Sequence, residues 1–268
     1  KVISGTILPG NDYRSPELHE LHDPLNPGEI VKIATQDVDE HLKLTEQDQR
    51  REEDPVTGEW AQIAKTQIVG MRSRFEVDLN RPREQAVYRT PEEAWGIEVW
   101  DDPPDQELIE ASLKEYDEFY LGIRELLDEM LDQYKRVVVY DLHTYNQRRD
   151  GPDQAPADPA MNPEVNVGTG TMDRDYWAPV VDRFIADLRH YDFHGRQLDV
   201  RENVKFRGGY FCQWIHQNYP HRACAIAIEF KKFFMDEWKG EPDAYEVECI
   251  YRALKSTMRG VRSALELM

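Results

Sequence analysis

The stretch "RVVVYDLHTYNQRR", residues 136–149, decides the fold. Val137, Val138, Val139 and Tyr140 form an unbroken apolar run rich in β-branched residues. That is the pattern of a strand buried on both faces. The run then closes on Asp141, Leu142 and His143. A strand covered on both faces belongs to a sheet with helices on either side. In such sheets the residues at a strand's carboxyl end border the cleft where ligands bind. The stretch therefore predicts an α/β fold and marks where its chemistry should lie.

Working outward, "DQELIEASLKEYDEFYLGIRELLDEMLDQY" (105–134) carries Ile109, Leu113, Tyr116, Tyr120, Ile123, Leu127 and Met130 at spacings of four and three. This is one apolar stripe of a long helix. After residue 149, "DGPDQAPADPAMNPEVNVGTGTMD" (150–173) is rich in proline and glycine and reads as a long loop. "RDYWAPVVDRFIADLRHY" (174–191) is helical, provided that Pro179 falls in its first turn. "YFCQWIHQN" follows the Gly208–Gly209 turn as a short helix, "ACAIAIEF" (223–230) is a second buried strand, and residues 243–267 form an amphipathic helix.

Toward the N-terminus, "KVISGTIL" (1–8) reads as a strand, and 66–82 contains two short strand-like runs. Residues 36–54 are polar and weakly helical. Alternating strands and helices predict one domain over residues 1–268, with a mainly parallel or mixed central sheet and helices on both faces.

Composition narrows the partners. The formal net charge of −19 opposes binding to nucleic acid or an anionic membrane; a halophilic source would give the same acidity. No apolar stretch approaches the roughly 18 residues of a membrane span, and no signal peptide is visible. Cys212, Cys224 and Cys249 are odd in number and lack metal-finger spacing, which fits reduced thiols and a cytoplasmic location.

Three strand candidates carry polar groups at their ends. "RSRFEVDLNRPR" supplies Arg72, Arg74, Asp78, Asn80, Arg81 and Arg83; the opening strand supplies Asp141 and His143; "AIAIEF" supplies Glu229, followed by Lys231 and Lys232. Singly, each has an ordinary structural role: Asp78 and Arg81 as an ion pair, His143 as a satisfied core histidine, Glu229 as a lysine's partner. Together they are the parts of a hydrolytic site. Imidazole binds a metal that activates water, a carboxylate moves the proton, and guanidinium groups hold an oxyanion and a substrate carboxylate. Arginines concentrated in so acidic a chain point to a small anionic substrate.

The segments "SRFEVDLNRPRE", "DLHTYNQRRDGPD", "NPEVNVGTGTMD" and "AIEFKKFFMDEWKGEPD" resemble the N-formylglutamate amidohydrolase family, over a span from about residue 50 to the C-terminus. That family is similar to the zinc carboxypeptidases and aspartoacylases. The resemblance implies a zinc-exopeptidase-like (phosphorylase/hydrolase-like) fold and zinc-dependent hydrolysis of an amide bond in an acidic N-acyl amino acid such as N-formylglutamate. It implies His143 as a zinc ligand, Glu229 as general base, Arg74 as the oxyanion-stabilising arginine, and Asn80 with Arg81 as the grip on the substrate carboxylate.

One departure stands out. The family's first strand ends in a Pro-His-Ser-Gly-Thr-like pattern whose histidine is a metal ligand. Set against "VISGTILP", that pattern places Ile3 at the histidine. A zinc site needs more than one histidine. His19 and His22 are possible substitutes, with His41, Asp37 and Asp54 weaker ones. The alternative is a metal-free pseudoenzyme that binds a small carboxylate in the same cleft; a plain interaction domain leaves the clustered arginines without a role.

Other motifs carry less. "GTG" (168–170) lacks the strand-turn-helix context of a dinucleotide site and reads as loop. Cys224 falls inside a strand and reads as core, and His216 and His221 are placed near the cleft. Trp95, Trp100 and Trp238 read as packing rather than a ligand cage.

Overall fold

The computed structural model describes the backbone of residues 4–9 and 30–31, and residues 42–70 and 72–268 in full. Ile3, His19, His22, Asp37 and His41 lie outside the described residues.

The predicted α/β architecture is present, with the sheet in its mixed form. Its strands are β1 (Ser4–Pro9), β2 (Ile30–Val31), β3 (Thr66–Val69), β4 (Val137–Tyr145), β5 (Val165–Gly168), β6 (Val200–Glu202) and β7 (Ala223–Lys231). They lie in the order β2-β3-β1-β4-β7-β5-β6. β4 and β7 run parallel at the centre, as do the pairs β2–β3 and β5–β6. β1 is antiparallel to β3 and β4, and β5 is antiparallel to β7.

Helices cover both faces. They are α1 (Glu46–Glu52), α2 (Thr57–Trp60), α3 (Gln106–Gln133), α4 (Ala178–His190), α5 (Tyr210–Asn218) and α6 (Ala244–Glu266). The strand period of two sorts the side chains between them. Val138, Tyr140 and Leu142 of β4, with Ile226, Ile228 and Phe230 of β7, pack against α4 and α6 through Val181, Phe184, Ile250 and Leu254. Val137 and Val139, with Ala223, Ala225 and Ala227, face Phe119, Ile123 and Leu127 of α3 and Phe211, Cys212 and Ile215 of α5. The alanines let α5 lie close to the sheet. Each large side chain so buried contributes roughly 1.5–3 kcal/mol.

A smaller core forms under the segment that carries the arginines. It gathers Phe75, Val87, Tyr88, Ala94, Val99, Trp100 and Ile109. Here the expected second strand of 66–82 does not form. Backbone N–H groups of Glu76 and Val77 turn back to the Ser73 carbonyl, and the Asp78 N–H reaches Ala86 at 2.7 Å. The apolar alternation of Phe75, Val77 and Leu79 thus serves a folded loop, its backbone paired locally rather than in the sheet. In the opposite sense, β5 lies within the expected loop 150–173, and β6 is a strand not expected at all. Both are short, and their apolar content is too small to stand out.

Pro179 sits in the first turn of α4, as its helix requires.

Candidate active site

The alternation that buries Val137 and Val139 places Asp141 and His143 on the same α3/α5 face of β4. At that end the sheet continues past the apolar cover. His143 is in register with Glu229 of β7, which is in register with Asn166 of β5. An imidazole, a carboxylate and a carboxamide therefore stand abreast on three adjacent strands. All three are buried.

His143 has a carboxylate near each ring nitrogen, with hydrogen-bond geometry at Nδ1 alone. Its Nδ1 lies 3.2 Å from Asp54 Oδ2, and its Nε2 lies 2.8 Å from Asp141 Oδ1. Asp54 follows α1 and is fixed in turn by the Thr144 N–H at 2.6 Å and the Thr144 hydroxyl at 3.1 Å, both on its Oδ1. The other oxygen of Asp141 accepts the Cys212 thiol at 3.3 Å. Burial pushes the Cys212 and Cys224 thiols up, so neither presents a thiolate. Cys224 is core, inside β7.

The Asn166 carboxamide bonds the backbone of residues 205–206. Its Oδ1 accepts the Lys205 N–H at 2.8 Å, and its Nδ2 donates to the Phe206 carbonyl at 2.8 Å. The Lys205 ammonium reaches Asn162 Oδ1 at 2.6 Å and stands 5.2 Å from the Tyr145 ring centroid. Burial, and then Arg149, lower its pKa, while Glu229 opposes the shift. This cation is therefore within electrostatic reach of the candidate base.

The loop 72–83 supplies the guanidinium groups. Arg74 is buried, and its Nη2 donates to Asp78 Oδ2 and to the Tyr88 hydroxyl at 3.0 Å. Tyr88 also donates to Asp78. Burial acts most strongly and in the upward direction on the Asp78 pKa, but the Arg74 charge and the hydrogen bonds from Tyr88 and the Asn80 N–H act together against it, and the carboxyl ends far below the usual range. Asp54 also acts electrostatically on Arg74, which ties the arginine to the His143 cluster. The Arg74 Nε is buried with no acceptor among the described residues. Arg81 is about a third exposed, and its Nε stays 3.7 Å from Asp78. Asp78 is thus mainly the partner of Arg74, and the Arg81 fork remains available.

Asn80 is partly committed elsewhere. Its Oδ1 accepts the Phe211 N–H at 2.9 Å, satisfying one of the open donors at the start of α5. "GTG" is a packing device: a Cβ at Gly168 would lie 2.6 Å from the Gly208 nitrogen, and one at Gly170 would lie 2.9 Å from Arg207 Cβ.

A family model described as N-formylglutamate amidohydrolase matches residues 32–235. The chain belongs to the N-formylglutamate amidohydrolase family. It is an amidohydrolase by that membership. Among solved structures it is similar to an N-formylglutamate amidohydrolase from Ralstonia eutropha, with a TM-score of 0.66 at 14% identity, covering 99% of this chain and 100% of that one. It is also similar to a gene product of Agrobacterium tumefaciens, with a TM-score of 0.59 at 19% identity, covering 90% and 93% of the two chains. At these identities the likeness shows the fold. No curated protein matches the chain.

Against the zinc implied by the family resemblance, the described residues fall short. The Nε2 of His143 and the Oδ1 of Asp141 come within 2.8 Å without hydrogen-bond geometry, but among the described residues no group of three or more His, Cys, Asp or Glu side chains is arranged to hold a metal. A catalytic zinc takes three protein ligands.

The family signature segments thus bring Arg74, Asp78, Asp141, His143 and Glu229 into one neighbourhood. Asp54, a weaker candidate in the sequence, is hydrogen-bonded to His143. Trp95 corrects its expected packing role: it is 45% exposed, whereas Trp100 is buried and Trp238 half-buried. His216 and His221 are not at the cleft. His216 Nε2 accepts the Ala225 N–H at 3.0 Å, four residues before Glu229 along β7, about 13 Å at strand rise. They border a separate cavity of about 440 Å³ with Thr171, Asp173 and Gln213. Asn166, Tyr88 and Lys205 carried no sequence signal, since each looks ordinary until the fold sets it beside Glu229 or Arg74.

No helix among the described residues is long and apolar enough to cross a membrane.

Proposed function

We propose that this chain hydrolyses the amide bond of an acidic N-acyl amino acid, N-formylglutamate being the type substrate. The observation that carries the reading is the register of Glu229 with His143 on one face of the sheet, with Asp54 hydrogen-bonded to His143 and acting electrostatically on Arg74. In this reading Arg81 binds a substrate carboxylate through its fork, with Asn80 behind it. Glu229 takes a proton from water as the water oxygen bonds to the acyl carbon. The Arg74 Nε–H, a buried donor with no acceptor among the described residues, serves the oxyanion that forms. Glu229 then gives the proton to the amide nitrogen as the C–N bond breaks. Formate and glutamate leave, the water having been consumed.

Asp54 orients the His143 ring through Nδ1, and Asp141 lies beside Nε2. Whether hydrolysis requires zinc is decided by measuring turnover with and without it. The free thiols of Cys212, Cys224 and Cys249 fit a reducing compartment such as the cytoplasm.

The test is formate release from N-formylglutamate, with and without added zinc. Wild type is expected to turn over, and Glu229→Gln to lose about 10²- to 10⁴-fold in kcat while still binding dicarboxylates. No turnover in any metal condition overturns hydrolysis. Retained dicarboxylate binding would then favour the pseudoenzyme, a reading supported by Ile3, which falls opposite the family's metal-ligand histidine.

A further inference from the structure

Trp95 is a large aromatic residue left 45% exposed, in a left-handed backbone conformation with φ +57°. That conformation is costly for a bulky L-residue and persists only where its surroundings impose it. The surroundings do. The Gly96 N–H reaches the Pro91 carbonyl at 2.7 Å, the Ile97 N–H reaches Ala94 at 3.0 Å, and Ala94 is fully buried beneath the turn. The loop thus pushes an indole outward instead of burying it. Its ring faces two guanidinium groups: Arg74 at 4.5 Å and Arg81 at 5.6 Å from the centroid. Tyr88 completes the wall, 6.0 Å from the Arg81 guanidinium and 5.8 Å from the Trp95 ring.

A guanidinium flat against an aromatic face keeps its N–H edge free for a carboxylate. Arg81 needs such a constraint, because its contact with Asp78 is loose at 3.7 Å. We propose that Trp95 is a positioning residue that sets affinity for anionic substrate, its indole face holding Arg81 edge-outward. The inference rests on the reading of these arginines as the carboxylate grip and adds the residue that preorganises it. The αL backbone is the means of presenting the ring, since a right-handed residue at this tip would aim its side chain elsewhere.

The experiment measures glutarate binding by calorimetry, together with KM and kcat for N-formylglutamate, in wild type, Trp95→Ala, Trp95→Leu and Trp95→Phe. Trp95→Ala and Trp95→Leu are expected to weaken glutarate and raise KM by about 5- to 30-fold, with kcat within about threefold. Trp95→Leu keeps apolar cover without a π face, so it separates stacking from packing. Trp95→Phe is expected to recover most of the loss. Glutarate affinity unchanged within twofold in Trp95→Leu overturns the proposal even if hydrolysis is intact. So does a fall in kcat with KM unmoved. No saturable glutarate binding by wild type overturns the carboxylate reading and this inference with it.

Discussion

At the scale of single residues, the site is governed by which charges are already paired. Asp78 shows the principle. It is fully buried, and its two oxygens accept from Arg74, from Tyr88 and from the Asn80 N–H at 3.0 Å. Removing the charge leaves the Arg74 guanidinium buried without a counter-ion. Asp78→Asn is therefore expected to cost about 3–5 kcal/mol of stability, which urea unfolding would measure. A cost under about 1 kcal/mol would show that Arg74 finds another partner. The same pairing explains what the sequence could convey about the site. Asp78 and Arg81 read there as natural partners three residues apart, and the structure gives Asp78 to Arg74 instead. His143 and Glu229 were legible because each ends an obvious apolar run. Asp54 was faint because it sits in a polar segment, and only the fold carries it to the end of β4.

At the scale of elements, the site depends on α5 being pinned from a distance. Gly209 precedes α5, and a Cβ there would fall inside the Asn80 carboxamide. Its φ of −96° is open to any residue, so space and not backbone strain demands glycine. Gly209→Ala must push Asn80 away from the Phe211 N–H and unseat the start of the helix. The expected result is a loss of about 1–3 kcal/mol together with a raised KM, since Asn80 adjoins Arg81. Wild-type stability and KM in this variant would contradict the close approach. Elements also divide by how plainly they were written. β4, β7, α3 and α6 carry periodicity over long windows and stand out. β5 and β6 are four and three residues long and take their place from pairing with neighbours. The 72–83 loop carried strand-like alternation, yet only Phe75 enters the local core under Tyr88 and Trp100, while Val77 and Leu79 join the core beneath α3. Alternation reports which residues are buried, not what buries them.

At the scale of the whole molecule, the net charge of −19 sets the background against which any single titration must be read. Self-repulsion among carboxylates eases as pH falls, which by itself favours the compact state. His216 works against that trend. Its Nε2 accepts the Ala225 N–H and its Nδ1 lies 3.0 Å from the Thr171 hydroxyl, so the ring ties α5 and the loop after β5 to the amino end of β7 in its neutral form. Burial pushes its pKa from 6.5 down to about 4. The unfolded chain therefore takes up a proton first. The contribution is fully present above pH 6.5 and is lost as pH falls through about 4. Over that window the linkage amounts to roughly 3 kcal/mol. Because the carboxylate background has the opposite sign, wild type alone would not reveal it. The difference between wild type and His216→Gln does, since both share the background. Urea midpoints taken from pH 8 to 4.5 should show wild type ahead at pH 8, with its lead shrinking below pH 6.5. Two curves that stay parallel would mean that the folded chain protonates His216 as readily as the unfolded one.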